Sequence, residues 1–175
     1  MRLFVAIKLP NMVDQSLLDT MTEWKEHGVS GTWTKPVNFH ITLAFLGEQP
    51  ESSLPVITKI LQELPFPAMK LKTAGTGNFK DLYYARITNL ENEESKPLIN
   101  YVHQLRNALM EAGIALDHRF KAHVTIARRL KNPNHYALHI PAQVFDVNQV
   151  CLYQSVLSPQ GPAYTILARF PAVSK

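Results

Sequence analysis

The sequence predicts an α+β fold built from two similar units that face one another. Three observations carry this. Short apolar runs of strand length outnumber the helical stretches and do not alternate regularly with them. No Gly/Ser-rich linker divides the chain. A strand–helix–strand arrangement occurs twice, each time ending in a strand that carries a histidine: 37 residues separate Leu3 from His40, and 40 separate Tyr83 from His123.

The elements follow in order. Residues 3–7 form a continuous apolar run, as a buried strand does. Pro10 ends it, Asn11 is the expected N-cap, and Asp14 sits in the first turn, where the helix dipole favours an anion. Val13, Leu17, Met21 and Trp24 recur at helical spacing, and Gly28 stops the helix. Thr32-Trp33-Thr34 reads as a short extended piece. Residues 39–46 read as a strand closed by Gly47. Ser52 or Ser53 opens a short helix that Pro65 and Pro67 forbid from continuing. Met69, Leu71 and Thr73 alternate with Lys70 and Lys72, the period of a half-exposed strand. Residues 82–87 form another strand. Ser95 followed by Pro97 opens the clearest helix, with a stripe of Leu98, Tyr101, Val102, Leu105 and Leu109 before Gly113. Residues 124–127 are again strand-like. Residues 144–157 and 164–170 read as two late strands around a Ser-Pro-Gln-Gly-Pro turn.

Composition bounds the function classes. Hydrophobic residues make up 46% of the chain, enough for a substantial core and too many for a disordered protein. The 175 residues suit a single domain. A net charge of +4 permits a polyanionic partner without requiring one. The single cysteine, Cys151, excludes an intrachain disulfide and reads as a small buried hydrophobe. No stretch reaches membrane-spanning length and the N-terminus has no signal-peptide pattern, so the expected location is the cytoplasm, without membrane association.

The chemistry-bearing pattern is His-x-Thr followed by an apolar residue. It reads His40-Ile41-Thr42-Leu43 and again His123-Val124-Thr125-Ile126. With 7 histidines in the chain, fewer than one His-x-Thr is expected by chance; one copy would mean nothing, two copies at matching places in a repeat mean more. In a strand, residues i and i+2 share a face about 6–7 Å apart. Each His therefore has a Thr hydroxyl beside it, suited to hydrogen-bonding an anion's oxygens. Two facing units supply a proton donor and a proton acceptor near neutral pH. No His-x-x-x-His or Cys-x-x-Cys pattern supports a zinc site, so no metal or cofactor is expected. Gly75-Thr76-Gly77 lacks the lysine and context of a nucleotide-phosphate loop. His27, His103, His118, His135 and His139 receive no catalytic role, and His118 and Lys121 read as surface residues, with the cleft rim as the alternative.

These residues resemble a known family. The runs Phe39-His40-Ile41-Thr42-Leu43-Ala44-Phe45-Leu46-Gly47-Glu48 and Ala122-His123-Val124-Thr125-Ile126-Ala127-Arg128 are similar to the two signature motifs of bacterial and archaeal RNA 2′,3′-cyclic phosphodiesterases. These 2′-5′ RNA ligase-like proteins belong to the two-histidine phosphoesterase superfamily. The opening Arg2-Leu3-Phe4-Val5-Ala6-Ile7 and the Pro-Gln-Gly-Pro-x-Tyr ending at Tyr164 resemble that family's first strand and last hairpin. The family often has Pro directly before the second His, where this chain has Ala122.

The resemblance implies a bilobal fold, with two mainly antiparallel sheets lining a central cleft and helices outside. It implies hydrolysis of an RNA terminal 2′,3′-cyclic phosphate to a 2′-phosphate, with His40 and His123 catalytic and Thr42, Thr125, Arg128 and Phe45 binding substrate. Arg128 would hold the phosphate through its fork of donors, and Phe45 would offer a stacking face to the terminal base. The expected partner is RNA with such an end, tRNA fragments among the candidates, acted on by a monomer. Five residues separate each of Phe45 and Arg128 from its His. That is an odd offset, so a regular strand would turn both away from the histidines, and the assignment requires a bulge near Ala44 and Ala127. The expected mechanism has His123 taking a proton from water and His40 donating one to the leaving 3′ oxygen. Three alternatives stay open at this level: 2′-5′ ligation by the same residues, a small cyclic nucleotide as substrate, and a non-catalytic module that only binds RNA ends.

Overall fold

A computed structural model describes residues 1–117, 119–134 and 136–173. The first half runs β1 (Arg2–Lys8), α1 (Asn11–Glu26), β2 (Ser30–Trp33), β3 (His40–Glu48) and α2 (Leu54–Glu63). The second half runs β4 (Met69–Phe79), β5 (Leu82–Thr88), α3 (Lys96–Glu111), β6 (His123–Lys131), β7 (Val144–Val147), β8 (Gln149–Ser158) and β9 (Gly161–Pro171). Among the described residues, every strand pair is antiparallel.

The strands form two sheets, ordered β3-β1-β8-β9 and β2-β6-β5-β4-β7. Leaving β2 aside, the sheets match position by position. The histidine strand (β3 or β6) lies beside the strand that feeds its helix (β1 or β5), with a hairpin or partner strand beyond. Strands β3 and β6 lie against one another and join the two sheets at the base of a central cleft. The fold class and the facing repeat expected from the sequence are both present.

One continuous core fills the far faces of the sheets and the inner faces of the helices. Val13, Leu17, Met21 and Trp24 of α1 enter it, as do Leu98, Tyr101, Val102, Leu105 and Leu109 of α3. Full burial of one such side chain contributes roughly 1.5–3 kcal/mol. A second, smaller cluster lies on the cleft face of the first sheet: Phe4, Ala6, Cys151 and Tyr153, with Phe45, Tyr164 and Ile166 against it. Tyr164 of β9 meets Phe4 of β1 edge-on in this cluster, their ring centres 5.0 Å apart. Because β1 packs on both faces, its sequence is a solid apolar run rather than an alternation.

Several local expectations change. Asn11 is the first helical residue and not the cap; Pro10 occupies that position, its carbonyl accepting from the Val13 and Asp14 amides without a side-chain cap. At α3 the Ser95 hydroxyl does accept from the Leu98 amide, 3.4 Å away. The run 144–157 is two strands in different sheets, separated at Asn148. Gly75-Thr76-Gly77 lies inside β4, at an irregularity in its pairing with β5. Cys151 is a free, buried thiol. His118 and His135 lie outside the described residues. Among the described residues, no helix is long and apolar enough to cross a membrane.

Candidate active site

The site follows from two β-bulges. Along β3, Ala44 pairs with Val5 but Thr42 pairs with Ala6, so Leu43 is an extra residue. Along β6, Ala127 pairs with Tyr83 but Thr125 pairs with Tyr84, so Ile126 is an extra residue. Each bulge falls three residues after its histidine. The bulge inverts the alternation, so Leu43 and Ala44 are both buried, as are Ile126 and Ala127. Phe45 thereby shares a face with His40 and Thr42, and Arg128 with His123 and Thr125. The odd offset is resolved identically in the two halves.

Both imidazoles are held in the same way. The Nδ1–H of His40 donates to the Asn38 carbonyl at 2.7 Å, and that of His123 to the Lys121 carbonyl at 2.6 Å. Fixing the proton on Nδ1 leaves Nε2 as the unprotonated nitrogen of each neutral ring. The Nε2 of His40 lies 2.8 Å from the Thr42 hydroxyl, which donates to it while the ring is neutral.

The surroundings differ. His40 sits among aromatic rings: Phe4 at 5.0 Å, Tyr164 edge-on at 5.3 Å and Tyr153 at 6.2 Å. Phe4 in turn stacks on Tyr153 at 4.9 Å. Burial in this nest lowers the His40 pKa to about 4, with His123 adding a smaller repulsion. Among the described residues, His123 has a single ring neighbour, Tyr84, edge-on at 5.2 Å. Its pKa is also lowered, first by burial and then by the positive charges of Lys121 and Arg128.

Phe45 is partly covered. The Arg2 guanidinium lies 4.8 Å above its ring, so one face is already occupied by a cation. Arg128 is exposed on the cleft face of β6, close enough to act on both His123 and Tyr164. Lys121, considered from sequence only for the rim, lies beside the histidine. Its ammonium donates to the Tyr84 hydroxyl at 2.6 Å and lies 4.9 Å from the ring centre.

Sequence reasoning missed Phe4, Tyr153 and Tyr84 as site walls, and missed Asn38. Nothing in an all-apolar strand distinguishes a cleft-facing Phe4 from a core phenylalanine. Gly77 is the one local signal for Tyr84: a Cβ there would lie 2.5 Å from the Tyr84 ring, so the ring lies flat on the β4 backbone. Among the described residues, no three His, Cys, Asp or Glu side chains converge as metal ligands.

Comparison with known proteins agrees with this architecture. The family described as LigT like Phosphoesterase matches residues 7–88, the half that holds His40. An RNA 2′,3′-cyclic phosphodiesterase of Archaeoglobus fulgidus is 33% identical, over 97% of this chain and 99% of that protein. One of Thermotoga maritima is 29% identical, over 95% of this chain and 93% of that protein. A crystal structure of a Thermus thermophilus protein superposes with a TM-score of 0.79 at 30% identity, covering 98% of this chain and 97% of that one. Escherichia coli LigT, 23% identical, shares the fold with a TM-score of 0.81 over 99% of this chain and 98% of its own. The relatives span both histidine motifs from end to end, and the chain belongs to the RNA 2′,3′-cyclic phosphodiesterase family of LigT-like, two-histidine phosphoesterases.

Proposed function

We propose that the protein hydrolyses the 2′,3′-cyclic phosphate at an RNA end to a 2′-phosphate, using His40 and His123 as a proton-transfer pair without a metal ion. The observation that carries this reading is the paired bulge. It collects a histidine, a threonine and a phosphate- or base-binding side chain on one face in each half, and the two faces meet across one cleft.

The chemistry follows from the groups present. His123, neutral at Nε2, removes a proton from a water molecule. The water oxygen bonds to phosphorus as the bond from phosphorus to the 3′ oxygen breaks. His40, protonated, gives its Nε2 proton to that oxygen, leaving a free 3′ hydroxyl and a 2′-phosphate. Each histidine ends in the protonation state the other began with, and a proton exchange with solvent resets the pair. Thr42, Thr125 and Arg128 donate to the non-bridging oxygens, where charge builds. Phe45 and the Arg2 guanidinium above it give the terminal base a stacking platform.

Burial keeps His40 neutral in the free protein at neutral pH. The incoming phosphate supplies the opposite charge that offsets this, and does so strongly because the aromatic nest excludes water. Substrate binding is therefore coupled to proton uptake.

The test is incubation of purified protein with EDTA and a short RNA ending in a 2′,3′-cyclic phosphate, with separation of 2′- and 3′-phosphate products. The expected result is turnover to the 2′-phosphate that disappears in both His40→Ala and His123→Ala. Absence of turnover by the intact protein overturns the hydrolase reading, and activity restored only by added metal overturns the metal-free one.

A further inference from the structure

The residue two positions before each histidine does more than lend a carbonyl. Asn38 is buried, and its side-chain amide donates to the Pro162 carbonyl at 2.9 Å. Pro162 lies two residues before Tyr164, the ring set edge-on to His40. Lys121 reaches Tyr84, the ring set edge-on to His123. In each half, one residue thus fixes the Nδ1 proton through its backbone and ties down the neighbouring aromatic through its side chain. The halves diverge in one respect: Asn38 is neutral and Lys121 is a cation.

We propose that these two are positioning residues that divide the proton work, Lys121 holding His123 as the proton acceptor and Asn38 leaving His40 as the proton donor. This rests on the hydrolytic reading above. His123 is faced by Lys121 just before its strand and Arg128 on it, by Tyr84 and by Arg86 (its ladder partner) on β5, and by His40 across the cleft. No acid is among them, so an added proton meets the positive charges of Lys121 and Arg128. The bond to Tyr84 holds the Lys121 ammonium on the His123 side of the cleft. Burial is the main obstacle to a proton at both rings, and at His123 the charges of Lys121 and Arg128 add to it; a bound phosphate offsets burial with its opposite charge. Lys8, opposite His40 in the ladder, is exposed and acts on the Asp14 carboxyl. The arriving anion thus offsets burial at both rings, and the Lys121 charge still opposes a proton on His123.

The experiment pairs NMR titration of the histidine rings with pH profiles of kcat, which report the substrate complex, for the intact protein, Lys121→Met and Lys121→Arg. Lys121 is exposed, so both variants are expected to fold. In Lys121→Met, His123 should titrate at higher pH. The ratio of kcat at pH 8 to that at pH 5.5 should then rise about three- to tenfold, with the alkaline limb, set by His40 in the complex, unmoved. Lys121→Arg should retain the intact profile. Unchanged His123 titration with a uniform loss of kcat would overturn the proposal and make Lys121 a plain phosphate contact. Movement of the alkaline limb instead would reverse the two roles. Because the titration needs no turnover, an inactive intact protein would defeat the hydrolytic reading while leaving the effect of Lys121 on His123 separately decided.

Discussion

The two halves of the cleft share a backbone and differ in lining. Around His40 the wall is aromatic, built by Phe4, Tyr153 and Tyr164 from three strands. Around His123 it is cationic, built by Lys121 and Arg128. The bulge, the Nδ1 hydrogen bond and the adjacent threonine recur in both. The difference shows how a near-symmetric frame holds two unlike imidazoles. Low dielectric depresses the proton affinity of one ring, and fixed positive charge adds to the depression of the other. An anion in the cleft reverses the first effect readily and the second only in part.

The largest test of this comparison removes each ring in turn. His40→Ala and His123→Ala should each lower kcat at least about a hundredfold, because general acid and base assistance are each worth about 10²–10⁴. The double variant should lose little beyond the worse single one, since the groups act as a unit. A hundredfold loss in only one variant would break the symmetry at its root.

The next test contrasts the linings. Arg128→Met should lower kcat/KM about ten- to a hundredfold, the worth of hydrogen bonds from a charged donor to phosphate. Phe45→Ala should mainly raise KM, by several-fold or more, because stacking on one base contributes about 1–3 kcal/mol to binding. Equal losses in kcat from both would erase the distinction between a phosphate wall and a base wall.

Stability against pH isolates the aromatic side. His40 has a pKa of about 4 when folded and an ordinary value of 6.5 when unfolded. Between these values the unfolded chain binds the extra proton. Folding stability should thus be full above pH 6.5, fall as pH drops, and stop falling on this account below pH 4. The loss is on the order of 2–3 kcal/mol after allowance for partial exposure. Thermal melts of His40→Asn should show a shallower decline across this window than the intact protein. Parallel declines would mean that the aromatic nest is not what keeps the ring neutral.

The smallest expected effect concerns Tyr84. In Gly77→Ala the new methyl must displace the ring, at a cost of about 1–3 kcal/mol. Kinetically it should cost only a few-fold in kcat, through Tyr84 and Lys121, with the His40 titration unchanged. A matching shift at His40 would show that the two halves are mechanically coupled.

Much of this was legible beforehand because it depends on spacing. The doubled His-x-Thr and the strand–helix–strand repeat are one-dimensional patterns, and the need for a bulge followed from an odd offset. The bulge positions themselves, Leu43 and Ile126, leave no mark, because the inserted residues are apolar like their neighbours. The split of residues 144–157 at Asn148 was hidden for a similar reason: a strand pattern shows which residues alternate, not which sheet receives them. Asn38 and Lys121 resemble any polar residue before a strand until the chain is folded.

By itself, the sequence determined the α+β class, the facing repeat and the two histidines with their threonines, since periodicity and local spacing dictate which side chains share a strand face. Tertiary structure alone decided what surrounds each histidine. Phe4, Tyr153 and Tyr164 meet at His40 only because β1, β8 and β9 join β3 in one sheet, and Lys121 reaches Tyr84 only because β6 pairs with β5 in this register. Proton affinity depends on dielectric and on charge within a few ångströms, and the neighbours that set both are distant in the chain.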